Sequence, residues 1–157
     1  MSIDLDSIRA GIQTVLSTIP EIKRVLPYEQ RGESLQNMPY ATLLRGPVTG
    51  QGITLTGEAA DHQLGGYDHL IIWHIRVYSL FRDQVAAQQM DDLLSQRLLD
   101  AFNGNRLIDP NGPGVVDSSR IPLIEPFVQL PPAGKENGQP PLWVTQAELQ
   151  TFVIATL

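Results

Sequence analysis

His69-Leu70-Ile71-Ile72-Trp73-His74-Ile75-Arg76-Val77-Tyr78-Ser79-Leu80-Phe81 is the stretch on which the fold turns. Its odd positions Ile71, Trp73, Ile75, Val77 and Phe81 are apolar with Ser79 the exception, while its even positions mix Leu70, Ile72 and Leu80 with His74, Arg76 and Tyr78. Alternation of period two, rich in β-branched and aromatic residues, predicts a strand with its odd face in a core and a mixed face opposite. At roughly 3.3 Å per residue it spans some 40 Å, longer than most strands, so one end is expected to project past the body of the domain.

Downstream, Ala87, Met90, Leu94, Leu98 and Ala101, widened by Leu93 and Phe102, form a stripe that predicts a helix over Gln84 to Phe102. Asp83 is its expected N-cap, and Asn103-Gly104 is expected to stop it with a residue that tolerates the left-handed conformation. Upstream, Ile8, Ile12, Val15, Leu16 and Ile19 predict a helix from about Ser7 to Ile19, capped by Asp4 or Asp6. Pro20 stops or kinks it, with Glu21 to Leu26 read as room for another turn or two. Met38-Pro39-Tyr40-Ala41-Thr42-Leu43-Leu44-Arg45 reads as a short strand opened by proline and closed by Gly46-Pro47.

From Gly46 to Gly66 there are six glycines, around the β-prone piece Gly52 to Gly57, a long hairpin or loop. Asn105 to Pro141 holds eight of the 12 prolines, with Val115-Val116 and Leu123 to Leu130 as short edge strands among turns. Leu142 to Leu157 is a second long strand, with Trp143, Thr145, Ala147, Leu149, Thr151, Val153, Ala155 and Leu157 on one face. The order helix, strand, hairpin or loop, long strand, helix, Pro-rich segment, long strand implies an α+β fold. It is one domain over 1–157, a mixed or antiparallel sheet with both helices on one face.

Composition narrows the chemistry. The 157 residues carry 11 Lys and Arg against 17 Asp and Glu, a formal net charge of -6, which disfavours a broad face for phosphates or anionic lipid. Zero cysteines exclude disulfides, thiolate catalysis and Cys-based zinc sites. Early acids at Asp4 and Asp6, and no apolar run of about 18 residues, predict neither a signal peptide nor a membrane span, and a chain that is cytosolic where it is made. His62, His69 and His74 lack metal-site spacing and read as surface or sheet-face residues. No GxSxG elbow exists, and Ser118-Ser119 after Asp117 read as turn residues. Asp91-Asp92 point about 100° apart on a helix and read as a solvated face. Gly50-Gln51-Gly52 and Gly112-Pro113-Gly114 do not continue into phosphate-binding motifs, and Trp73 and Trp143 read as core. No catalytic residue, metal site or cofactor is assigned. What remains is a scaffold whose long strands and loops exceed the needs of a minimal core and suit pairing with neighbouring subunits by sheet extension.

The order of elements resembles one family, the tail-terminator (tail-completion or neck) proteins of tailed bacteriophages. The matching landmarks are the helix Ser7 to Ile19 leading to Val25-Leu26-Pro27-Tyr28, then Met38 to Pro47, the strand ending Ile75 to Phe81, the helix Gln84 to Phe102 and the strand Leu142 to Thr156. The resemblance implies a structural virion protein without catalysis, made in the host cytoplasm. It forms a ring, generally a hexamer, that caps the tail tube, stops its polymerisation and offers the head-joining surface. The partners implied are further copies of itself, the tail-tube protein, a neck or head-completion protein, and genomic DNA passing through the lumen without specific binding. A negative lumen would let DNA slide. On this reading His74, Arg76 and Tyr78 are the expected subunit interface. Gly50, Gln51, Gly52, Glu58 and Asp61 in the Gly-rich loop, with Lys135 and Glu136 in the Pro-rich loop, are expected to touch tube, lumen or neck. A head-completion or connector subunit is one alternative, disfavoured by the β-rich C-terminus, and a small α+β ligand-binding domain or enzyme is another.

Overall fold

The long strand is the centre of an open, mixed sheet. The computed structural model describes residues 4–29, 38–52, 66–103, 116, 118–130 and 141–156. In chain order these form α1 (Leu5–Ser17), β1 (Arg24–Leu26), β2 (Tyr40–Gly52), β3 (Gly66–Leu80), α2 (Gln84–Phe102), β4 (Ser118–Ile124), β5 (Val128–Leu130) and β6 (Leu142–Thr156). The sheet order is β1-β2-β3-β6-β4, with β5 also paired to β6. β1 runs parallel to β2, and all other pairs are antiparallel. β3 and β6 pair over their full lengths, from Gly66 opposite Thr156 to Leu80 opposite Leu142. The excess length of β3 is therefore shared: Thr49–Gly52 of β2 and Phe152–Thr156 of β6 extend beside its first residues.

The period-two reading of β3 holds. Ile71, Trp73, Ile75 and Val77 are fully buried. They share one core with Ile8, Ile12 and Leu16 of α1, Leu94, Leu98 and Phe102 of α2, and Ala41, Leu43, Ala147, Leu149 and Val153 of the neighbouring strands. Both helices thus cover one face of the sheet, the α+β arrangement read from the sequence, since an amphipathic stripe and an alternating strand bury their apolar sides only against each other. Trp73 and Trp143 are both buried. A smaller cluster of Leu26, Tyr40, Tyr78 and Val144 lies on the other face, where the Tyr40 and Tyr78 rings stack at 4.9 Å.

Several boundaries differ from the sequence reading. α1 starts and ends two residues earlier, because Asp4 and not Asp6 is the cap: its carboxylate accepts from Ser7 N at 3.1 Å and Ser7 Oγ at 2.7 Å. Those bonds hold the Asp4 carboxyl below its ordinary value. After Pro20 there is a single turn, closed by Ile22 N donating to Ile19 O at 3.2 Å, and no further helix. Lys23 N donates to Pro39 O at 2.8 Å and Arg24–Leu26 pairs with Tyr40–Thr42, so the backbone finds its partners in a parallel ladder.

β2 does not close at Gly46-Pro47. It shifts register between Arg45 and Val48 and continues to Gly52. The irregularity absorbs a proline that has no N–H to give, and at Gly46 a Cβ would lie 3.0 Å from Ile72 O and 3.2 Å from His74 Nε2. Leu93 is exposed, so the α2 stripe is narrower than read. Gly104, half of the expected stop, lies outside the described residues, and Asn103 ends α2 in an extended conformation (φ -68°, ψ 122°). Its Oδ1 accepts from Ile121 N at 2.9 Å, and Ser119 Oγ donates to Phe102 O at 2.7 Å, so β4 supplies the stop. Ser118-Ser119 accordingly open a strand and are not turn residues. The segment read as one strand over Leu123 to Leu130 is the end of β4 plus β5, both along the same edge of β6. Glu125 N donates to Gln146 O at 2.8 Å in the gap, and the Phe127 ring stacks on Trp143 at 4.5 Å. Val116 is buried but outside any strand, and Val115 lies outside the described residues.

Candidate functional site

The face of the sheet turned away from the helices is the candidate site. Alternation fixes which side chains stand on it. On β3 these are Leu70, Ile72, His74, Arg76 and Tyr78, opposite Phe152, Gln150, Glu148, Gln146 and Val144 of β6. Leu44, Thr42 and Tyr40 of β2 flank His74, Arg76 and Tyr78 on one side, and Arg120 and Leu123 of β4 flank Gln150 and Glu148 on the other. Among the described residues no helix covers this face, and Leu44, Leu123 and Val128 on it are exposed.

The expected interface trio is brought together on β3 but in three different states. His74 is half-buried, faces Glu148 across one rung and Leu44 across the other, and its buried Nδ1 has no hydrogen-bond partner among the described residues. Arg76 donates from Nε to Gln146 Oε1 at 3.1 Å and pairs through Nη1 with Glu29 Oε1 at 3.5 Å. Tyr78 is 1% exposed and its hydroxyl donates to Glu29 Oε1. Tyr78 therefore belongs to an internal cluster and not to the free surface. A groove of about 200 Å³ opens beside the latter two, lined also by Glu125, Pro126, Val144 and Gln146.

Glu29 is the residue that the sequence reading missed. It sits in a short strap, Pro27-Tyr28-Glu29, that leaves β1 and grips both faces. On the open face, Thr42 Oγ1 donates to Glu29 Oε2 at 2.5 Å, and Thr42 is fully buried there. On the helix face, the Arg9 guanidinium stands 4.2 Å over the Tyr28 ring and 5.1 Å from that of Trp73, and its Nη1 donates to Pro27 O. Glu29's three partners are 13, 47 and 49 positions away in the chain, so no local motif announces them.

Gly50, Gln51 and Gly52, expected in a loop, are the last residues of β2, with Gly50 opposite His69 and Gly52 opposite Asp68. Glu58, Asp61, Lys135 and Glu136 lie outside the described residues, as does His62. His69 and His74 stand at positions of opposite parity on β3 and so on opposite faces. Among the described residues there is no group of three His, Cys, Asp or Glu placed to hold a metal. Asp91 and Asp92 diverge as read, but Asp91 is not a solvated residue. Its Oδ1 accepts from the buried Thr145 Oγ1 at 2.7 Å, and burial, only partly offset by that bond, pushes its carboxyl above the ordinary value.

No protein-family model and no curated protein matches this chain. Among the described residues, no helix is long and apolar enough to cross a membrane.

Proposed function

We propose that this chain is a structural subunit of a tailed-bacteriophage virion, a tail-terminator protein that assembles as a ring on the end of the tail tube, halts its growth and presents the joining surface for the neck. The single observation that carries the reading is the order of elements. An N-terminal helix, a hairpin of two long strands, a second helix and a long C-terminal strand form a sheet with both helices on one face. Among the described residues no helix covers the other face, which carries exposed Leu44, Leu123 and Val128 among polar neighbours, a mixture suited to a protein interface.

This face is favoured as the subunit contact over extension of the sheet at β2 or β4. The β2 edge carries Pro47 in a bulge, and β4 carries Pro122 at its own register shift, while the Ile121 N–H is taken by Asn103. Proline and bulges are the devices by which strand edges are kept from pairing. The net charge of -6 suits a lumen through which DNA passes without sticking. The test is a polymerisation assay with the tail-tube protein of the same phage. Added chain should cap tubes and arrest elongation at substoichiometric ratios, and tubes that lengthen at the same rate with and without it would refute the reading.

A further inference from the structure

Thr42, Arg76 and Tyr78 all give a hydrogen or a positive charge to one carboxylate. Tyr78 Oη and Arg76 Nη1 engage Glu29 Oε1, and Thr42 Oγ1 engages Glu29 Oε2, so both oxygens are held. The three donors stand on adjacent strands, with Thr42 of β2 directly opposite Arg76 of β3 and Tyr78 two residues on. The acceptor comes from outside them, on the strap that follows the three-residue β1. Each donor is oriented by a group other than Glu29: Arg76 by Gln146 Oε1 and the Tyr78 ring by stacking on Tyr40. Thr42 is fixed by the β2–β3 ladder.

We propose that Thr42, Arg76 and Tyr78 form a carboxylate-binding site that Glu29 fills as a tethered ligand, and that the site takes the carboxylate of another molecule when Glu29 leaves. The Thr42 hydroxyl, at 0% exposure, is costly to bury without a partner, which keeps the site in demand of an acceptor. One hydroxyl bond to each oxygen, with an ion pair at one of them, matches a planar carboxylate. The Arg76 and Glu29 side chains are 28% and 20% exposed, so small solutes reach the pair from solvent, and the 200 Å³ groove borders Arg76 and Tyr78 on their β6 side. The proposal is independent of the tail-terminator reading.

The experiment is chemical rescue of the full chain carrying Glu29→Ala. Thermal melts at pH 7 are compared in sodium acetate and in sodium chloride of equal ionic strength. The variant should melt below the wild type in chloride and be restored saturably by acetate, while the wild type responds equally to both salts. Adding Arg76→Gln should raise the acetate concentration for half-maximal rescue by about two- to fivefold, the loss of one partly exposed ion pair. A Pro-Tyr-Glu tripeptide blocked at both ends separates two sources of the carboxylate. Rescue at lower concentration than acetate assigns the site to an acidic segment of a protein, and equal potency assigns it to free carboxylates. If Glu29→Ala is unfolded in chloride, acetate must return the folded circular-dichroism spectrum, because a ligand bound only by the native state pulls the equilibrium toward it. Equal behaviour of the variant in acetate and chloride, folded or unfolded, overturns the proposal.

Discussion

Replacing Trp73 by phenylalanine tests the core at its centre. The indole is fully buried at the middle of β3, and its Nε1 donates to Thr151 Oγ1 at 3.1 Å, while that hydroxyl in turn donates to Ile71 O at 3.1 Å. Phenylalanine keeps an aromatic ring there but leaves a void of about 40 Å³, worth about 1 kcal/mol at roughly 24 cal/mol per Å³. Losing some 40 Å² of buried apolar surface removes about another 1 kcal/mol. The lost bond adds about 0.5 to 1 kcal/mol and no more, because Thr151 still donates to Ile71 O and no buried donor is stranded. The sum is a loss of about 2.5 to 3 kcal/mol, equivalent to a fall in melting temperature of roughly 5 to 12 °C for a chain of this size. Urea unfolding followed by far-ultraviolet circular dichroism, with the midpoint displaced and the slope unchanged, measures it. Trp143→Phe is the comparison. That indole is 7% exposed, stacks on Phe127 and donates to Phe81 O at 3.1 Å, and its loss should cost less, about 1 to 2 kcal/mol. A Trp73→Phe loss below about 0.5 kcal/mol would refute the placement of β3 between both helices and its neighbours.

Four further outcomes are expected. Gly46→Ala should destabilise by about 1 to 3 kcal/mol in the same assay, because its Cβ meets the backbone carbonyl of Ile72 in the middle of the sheet, where little can give way. Asp91 has its carboxyl pushed up by burial, so the stability its protonated form brings is complete below the ordinary value of 3.8 and is lost as pH rises through the higher folded value. Asp91→Asn, which can still accept from Thr145, should therefore gain on the wild type in thermal melts between pH 3 and pH 7, and a variant that falls behind over that range would contradict the assignment. Asn103→Ala strands the Ile121 N–H and should cost about 1 to 2 kcal/mol, with faster amide exchange at Ile121. Leu123→Glu, at an exposed position of the open face, should leave urea stability within about 0.5 kcal/mol and abolish self-association seen by light scattering. This variant is a cleaner probe of the interface than Arg76→Glu, which would also break the bonds to Glu29 and Gln146.

The elements with strong periodicity were legible in the chain. β3, β6 and α2 follow from patterns set by burial on one side, and α2 matches its read bounds residue for residue. The misreadings come from contacts that a local window does not contain. Proline after Leu44-Arg45-Gly46 signals an end, yet a bulge carries β2 six residues beyond Gly46, and three residues after Pro20 pair in parallel with a segment 16 positions on. Asn103 reads as part of a helix stop, but its bond to the Ile121 N–H of β4 has no local signal. The candidate site divides the same way. His74, Arg76 and Tyr78 were legible as one face of a strand, because parity alone places them. Glu29 was not, since its role comes from a strap folded over residues far along the chain.

The central claim is that copies of this chain close into a ring on a tube. Its most direct test is molar mass by multi-angle light scattering over a concentration series, with negative-stain images of the same protein alone and mixed with tail tubes. The account predicts a closed ring of about six subunits with a central hole, free or seated on tube ends. A monomer at every concentration, together with bare tube ends, would contradict it.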